Sequence, residues 1–115
     1  MTSFLSLETL RRHKVVSRSG ETLGRIDDFV LNPQNGSVHY LIMSAGGALG
    51  IGDKQFAVPF GDAEIDEKAE RFILPYDRSD IENAPGFGRG AMPDFAPGYR
   101  KDIDGFYAAR RKALK

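Results

Sequence analysis

The sequence predicts an all-β fold: a small six-stranded antiparallel barrel with short helical turns and a C-terminal helical tail. Two observations carry that reading. Short runs rich in β-branched and aromatic residues recur through the first two-thirds of the chain, each closed by a turn signal built on Gly, Pro or Asn. About six such strands fall within some seventy residues, and closing so short a sheet on itself removes unprotected edges. The full length of 115 residues suits one domain.

Leu7–Arg12 has the length of a single helical turn, with Ser6 placed to cap it. Residues 13–18 form the first strand, ended by Ser19-Gly20. The second strand covers 23–31. Leu23, Phe29 and Leu31 share one parity there while Ile26 and Val30 share the other. A strict period of two fails, which points to a bulge near Asp27-Asp28 or to apolar cover on both faces. Asn32-Pro33-Gln34-Asn35-Gly36 is a turn, since Pro fixes φ and Asn-Gly accepts positive φ.

Residues 37–45 make the third strand, with Val38, Tyr40 and Ile42 on one face and Leu41, Met43 and Ala45 on the other. Apolar residues on both faces mark a central strand. A glycine-rich loop fills 46–54. Residues 55–60 alternate Phe56, Val58 and Phe60, and Pro59, which cannot donate to a ladder, belongs at an edge or bulge. Residues 63–66 and 71–74 form a hairpin around Glu67-Lys68-Ala69-Glu70. Val15, Ile26, Phe29, Tyr40, Ile42, Phe56, Val58 and Leu74 are the expected core.

Beyond the barrel, Ser79-Asp80-Ile81-Glu82 reads as a helix start. The division that follows is a domain over 1–83, a Gly/Pro-rich linker over 84–99 without regular structure, and a basic amphipathic helix over 100–115. Ile103, Phe106, Tyr107, Arg110 and Leu114 fall on one helical stripe. Asp102 is placed to cap its start, and Arg110, Arg111, Lys112 and Lys115 suit its negative C-terminal end.

Composition excludes several functions. Sixteen basic residues balance sixteen acidic ones, so global charge gives no attraction to nucleic acid or anionic membrane. The local distribution is uneven, acidic over 62–82 and basic from Arg100 onward. There is no cysteine, which rules out disulfides, thiolate metal sites and cysteine nucleophiles. The first residues lack the apolar run of a secretory signal, and no apolar stretch reaches the roughly 20 residues of a transmembrane helix. A soluble, cytoplasmic protein is expected.

The residue patterns that invite chemistry have simpler explanations. Gly47-Ala-Leu-Gly-Ile-Gly52 approaches a phosphate-binding loop, but Asp53 stands where that motif needs Lys, and a strand follows instead of a helix. Asp27 and Asp28 are adjacent on a strand and point to opposite faces unless a bulge intervenes, so they make a poor metal site. His13 and His39 have no Ser or Asp at a catalytic spacing. No catalytic, cofactor-binding or metal-binding set is expected.

Taken in order, Gly20-Glu-Thr-Leu-Gly24-Arg-Ile-Asp-Asp28-Phe-Val-Leu-Asn-Pro33, then Asn35-Gly36-Ser-Val-His-Tyr-Leu-Ile, then Gly46-Gly47-Ala-Leu-Gly50-Ile-Gly52 and Phe56-Ala-Val-Pro59-Phe resemble the PRC-barrel domain. The similarity runs over residues 8 to 75. That family includes the cytoplasmic barrel of the photosynthetic reaction-centre H subunit, the C-terminal domain of a ribosome maturation factor, and small stand-alone proteins. The resemblance implies a six-stranded barrel of PRC type used for assembly or protein binding, with no catalytic residues to carry over. The chain lacks both the H subunit's membrane helix and an RNA-processing domain, so neither specialised role transfers.

The expected function is therefore a non-catalytic protein-binding or assembly module, self-associating as a homodimer or larger oligomer. Surplus apolar side chains supply the candidate contact residues: Leu41 and Met43, facing away from the barrel interior, and Phe87, Phe95, Tyr99, Ile103, Phe106 and Tyr107 in the tail. These tail aromatics argue for docking, on this barrel or on a partner, over a mobile linker. The alternative is an RNA- or ribosome-associated factor using the basic C-terminal helix, although nucleic acid is the less expected partner.

Overall fold

The computed structural model of the chain describes residues 4–45 and 54–113. The glycine loop with its near-phosphate-loop motif, and Leu114 and Lys115 of the helical stripe, lie outside the described residues, as does the side chain of Lys112. Strands β1 (Lys14–Ser17), β2 (Thr22–Asn32), β3 (Ser37–Ser44), β4 (Gln55–Pro59), β5 (Glu64–Asp66) and β6 (Arg71–Leu74) fall where hydrophobic alternation and turn residues place them. Helix α1 (Leu7–Arg11) starts at Ser6, whose hydroxyl accepts from the Thr9 amide at 3.1 Å. Helix α2 (Arg78–Glu82) is entered through a capping box between Asp77 and Asp80.

The architecture differs from the expected barrel in three respects. A seventh strand, β7 (Gly86–Phe87), pairs with β4 inside the supposed linker. The sheet order is β5-β6-β1-β2-β3-β4-β7, and β6 lies parallel to β1, so the sheet is mixed. It also stays open, since β5 and β7 form its two ends without pairing to each other. Both end strands are very short, which blunts an edge as closure would. Parallel pairing is invisible to alternation, because it is set by the route of the chain and not by the side chains of either strand.

The bulge expected near Asp27-Asp28 is present. Ile26 lies opposite Met43 and Asp28 opposite Ile42, so Asp27 is the extra residue. This resolves the parity conflict in β2, because Ile26 and Phe29 now share a face with Met43 and Leu41. Gly24 is needed just before the bulge, where a Cβ would run into the Ser44 carbonyl and the Met43 side chain.

Each registered row shares a face, which assigns the two sides of the curled sheet. The inner side carries Val15, Ile26, Leu41, Met43, Phe56, Val58 and Phe72, all buried. Phe29, only half-buried, meets the Phe60 and Phe72 rings there. Of the expected core, Phe29 alone is not fully buried. The outer side carries Tyr40, Ile42 and Ala57, also buried. Their cover is α3 (Pro97–Ala113), the C-terminal helix.

Helix α3 begins five residues before the expected Asp102 cap. Pro97 takes its first position, where a missing N–H goes unused and the fixed φ suits a helix. The expected boundary between linker and helix at 99/100 therefore falls inside α3.

Candidate functional site

The expected contact residues pack against the chain itself, four of them buried and four half-buried. Leu41 and Met43 are fully buried on the inner side of the sheet, correcting their outward assignment. Alternation groups the residues of β3 correctly but does not say which group faces inward, and both groups are buried. Ile103 and Tyr107 are fully buried in the same continuous core as the sheet, while Phe87, Phe95, Tyr99 and Phe106 are half-buried against it. The tail docks on its own sheet.

That seam has a consistent chemistry. The Tyr40 hydroxyl donates to Asp104 at 2.8 Å, and its ring stacks on Phe95 with centroids 5.5 Å apart. The Tyr76 hydroxyl donates to Asp62 at 2.6 Å, and its ring tilts against Tyr107 at 4.8 Å. Arg111 pairs with the same Asp62 and donates to the Tyr76 oxygen at 3.1 Å. Arg110 lies 3.6 Å from Asp80 and stacks its guanidinium 4.7 Å above the Phe106 ring. Burial pushes the phenols of Tyr40 and Tyr76 above the ordinary tyrosine value, and the carboxylates of Asp104 and Asp62 push further in the same direction. Burial likewise raises Tyr99 and Tyr107. The hydroxyls of Tyr99 and Tyr107 have no hydrogen-bond partner among the described residues.

The four polar side chains singled out in the sequence occupy distinct settings. His13 is buried against Phe72 with ring centroids 5.6 Å apart, and His39 packs on Tyr40. Asp28 is exposed and accepts from the Phe29 amide at 2.7 Å. Asp27 accepts from the Gln55 side chain at 2.9 Å and lies 3.7 Å from Arg89. Among the described residues, no group of three or more His, Asp or Glu side chains is arranged to hold a metal ion.

Sequence reasoning missed the second surface feature. The register aligns Asp66, Arg71, Lys14, Arg25, Ser44, Gln55 and Phe87 in one row across all seven strands. Arg71 is answered by Asp66 at 3.2 Å. Lys14 and Arg25 are adjacent cations without an ion-pair partner among the described residues. Beside Arg25 lies a cleft of about 580 Å³, walled by Arg11 and Arg12 at the C-terminal end of α1 and by Arg89 and Met92 after β7, with Ile26, Asp27, Asp28 and Gln55 completing the lining. These cations are scattered through the first ninety residues. Only strand register brings them together, and the Arg11-Arg12 pair was the one local signal.

No helix among the described residues is long and apolar enough to cross a membrane. A search of curated proteins finds no match to the sequence. The family model for the PRC-barrel domain matches residues 3–81, which spans the sheet from α1 through β6 and nearly all of α2 and stops short of α3. With more than half of its length so matched, and the strands in place, the chain belongs to the PRC-barrel domain family.

Proposed function

We propose that this PRC-barrel protein is a non-catalytic protein-binding module. The observation that carries the reading is the seam. The C-terminal segment is committed to covering its own sheet, so α3 is part of one preassembled surface and not a free arm. Pre-organisation of that kind lowers the ordering entropy a partner must offset. The dispersal of His13, His39 and Asp28 supports a binding role, since a proton-transfer site needs its groups within hydrogen-bond reach of one another. The alternative based on RNA contact through the C-terminal helix is less well supported, because Arg110 and Arg111 are engaged with Asp80 and Asp62 of the same chain.

Self-association loses the argument from an uncovered tail, and the module is read as one that pairs with a different protein. Light scattering on the full chain across the micromolar range tests this, with a monomer as the expected result. A stable dimer would restore self-association. A turnover activity abolished in a folded His39→Gln or Asp28→Asn protein would overturn the non-catalytic reading.

A further inference from the structure

We propose that the cleft between α1, the β2 bulge and the segment after β7 binds an acidic segment of a partner protein, with Arg11, Arg12, Arg25 and Arg89 as its carboxylate-reading groups. This inference rests on the binding-module reading above and supplies the chemistry of the partner.

The starting point is an electrostatic cost. Like charges directly opposite on neighbouring strands destabilise a sheet, yet Lys14 and Arg25 are registered partners, with Arg71 next in the row. Asp66 answers only Arg71. Arg11 and Arg12, both exposed, add two cations beside Arg25, and they too have no ion pair among the described residues. Arg89 reaches Asp27 only at 3.7 Å, with its side chain half exposed. The cleft walls thus carry four arginines against two carboxylates. Planar guanidiniums gathered around one cleft suit bidentate recognition of single carboxylates.

The same lining disfavours a nucleic-acid strand. Asp27 and Asp28 stand in the cleft itself, where a continuous phosphate backbone would meet them. The chain as a whole has balanced charge and offers no long-range pull on a polyanion. Met92, in the lining and 41% exposed, provides adaptable apolar contact for the side chains that separate carboxylates in a peptide.

The test is fluorescence anisotropy on the full chain with three labelled probes: a peptide of repeated Glu-Asp-Leu units, its Gln-Asn-Leu counterpart, and a single-stranded oligouridylate. Saturable binding of the acidic peptide alone is expected, weakening as salt is raised. In the double variant Arg12→Glu/Arg25→Glu the affinity should fall by about tenfold or more, while Arg78→Glu, on the exposed side of α2, should leave it unchanged. Thermal melts confirm that both variants fold. Equal binding of the acidic and amide peptides, or an acidic peptide indifferent to the double variant, overturns the proposal. Preferential binding of the oligouridylate overturns it in favour of a nucleic-acid surface. A natural partner that binds wild type and double variant alike sinks the cleft assignment while leaving the module reading standing.

Discussion

The two sides of the sheet are buried by different means. On the inner side, Leu41, Met43, Phe56, Val58 and Phe72 pack apolar surface on apolar surface. On the outer side, three of the chain's four tyrosines are fully buried, and two of them end in carboxylates on or beside the tail. An apolar core responds to lost volume and is nearly indifferent to pH. A seam of phenols hydrogen-bonded to carboxylates gains less from area alone and depends on a protonation state. One sheet therefore carries a side that must stay shut and a side that titration can loosen.

The largest expected effect falls on the inner side. Phe56→Ala should lower unfolding free energy by roughly 3–5 kcal/mol, read from the urea midpoint. An unshifted midpoint would show that the inner side is not where the stability lies.

Alkaline titration addresses the outer side. All four phenols are held above their ordinary value, so the folded chain retains protons that the unfolded chain releases. Their contribution is fully present below about pH 10 and is lost as the pH rises beyond it. Phenolate absorbance should lag free tyrosine and then rise together with loss of helical circular dichroism as α3 releases. Titration at the free-tyrosine value, with the helix intact, would contradict the seam.

Two conservative substitutions within the seam should have opposite signs. Tyr76→Phe removes the donor to Asp62 and should destabilise by about 1 kcal/mol. Tyr107→Phe deletes a buried hydroxyl that has no partner among the described residues, and should be neutral or stabilising by up to about 1 kcal/mol. Thermal melts of the pair would separate ring burial from hydrogen bonding. The smallest effect is expected from Asp104→Asn, below about 1 kcal/mol. Its signature is spectroscopic: with the neighbouring charge gone, Tyr40 should ionise at lower pH than in the wild type.

The six longer strands and both short helices were legible because local patterns define them: β-branched alternation, Asn-Gly and Ser-Gly turns, and the Ser6 cap. The bulge was legible too, through the conflict between Ile26 and Phe29. What stayed hidden depends on non-local geometry. The parallel β1–β6 pairing and the two-residue β7 have no periodicity of their own. Which face of β3 turns inward was hidden because both faces are apolar and buried, so alternation alone does not rank them. The arginine cleft gathers Arg11, Arg12, Arg25 and Arg89, and nothing short of the register would assemble it. The tail aromatics were read as contacts to a partner, whereas they pack on the chain's own sheet, and no local pattern says whose surface an apolar stripe covers.

The family match ends at residue 81, whereas the helix that shields Tyr40, Ile42 and Ala57 begins at Pro97. The span that matches the family is thus shorter than the span that must travel together. Anyone transplanting this sheet into another protein should take the chain through Ala113. A graft cut at the family boundary would present an oily sheet face to its new host, and that host would have to evolve a substitute lid before the module could be inherited intact.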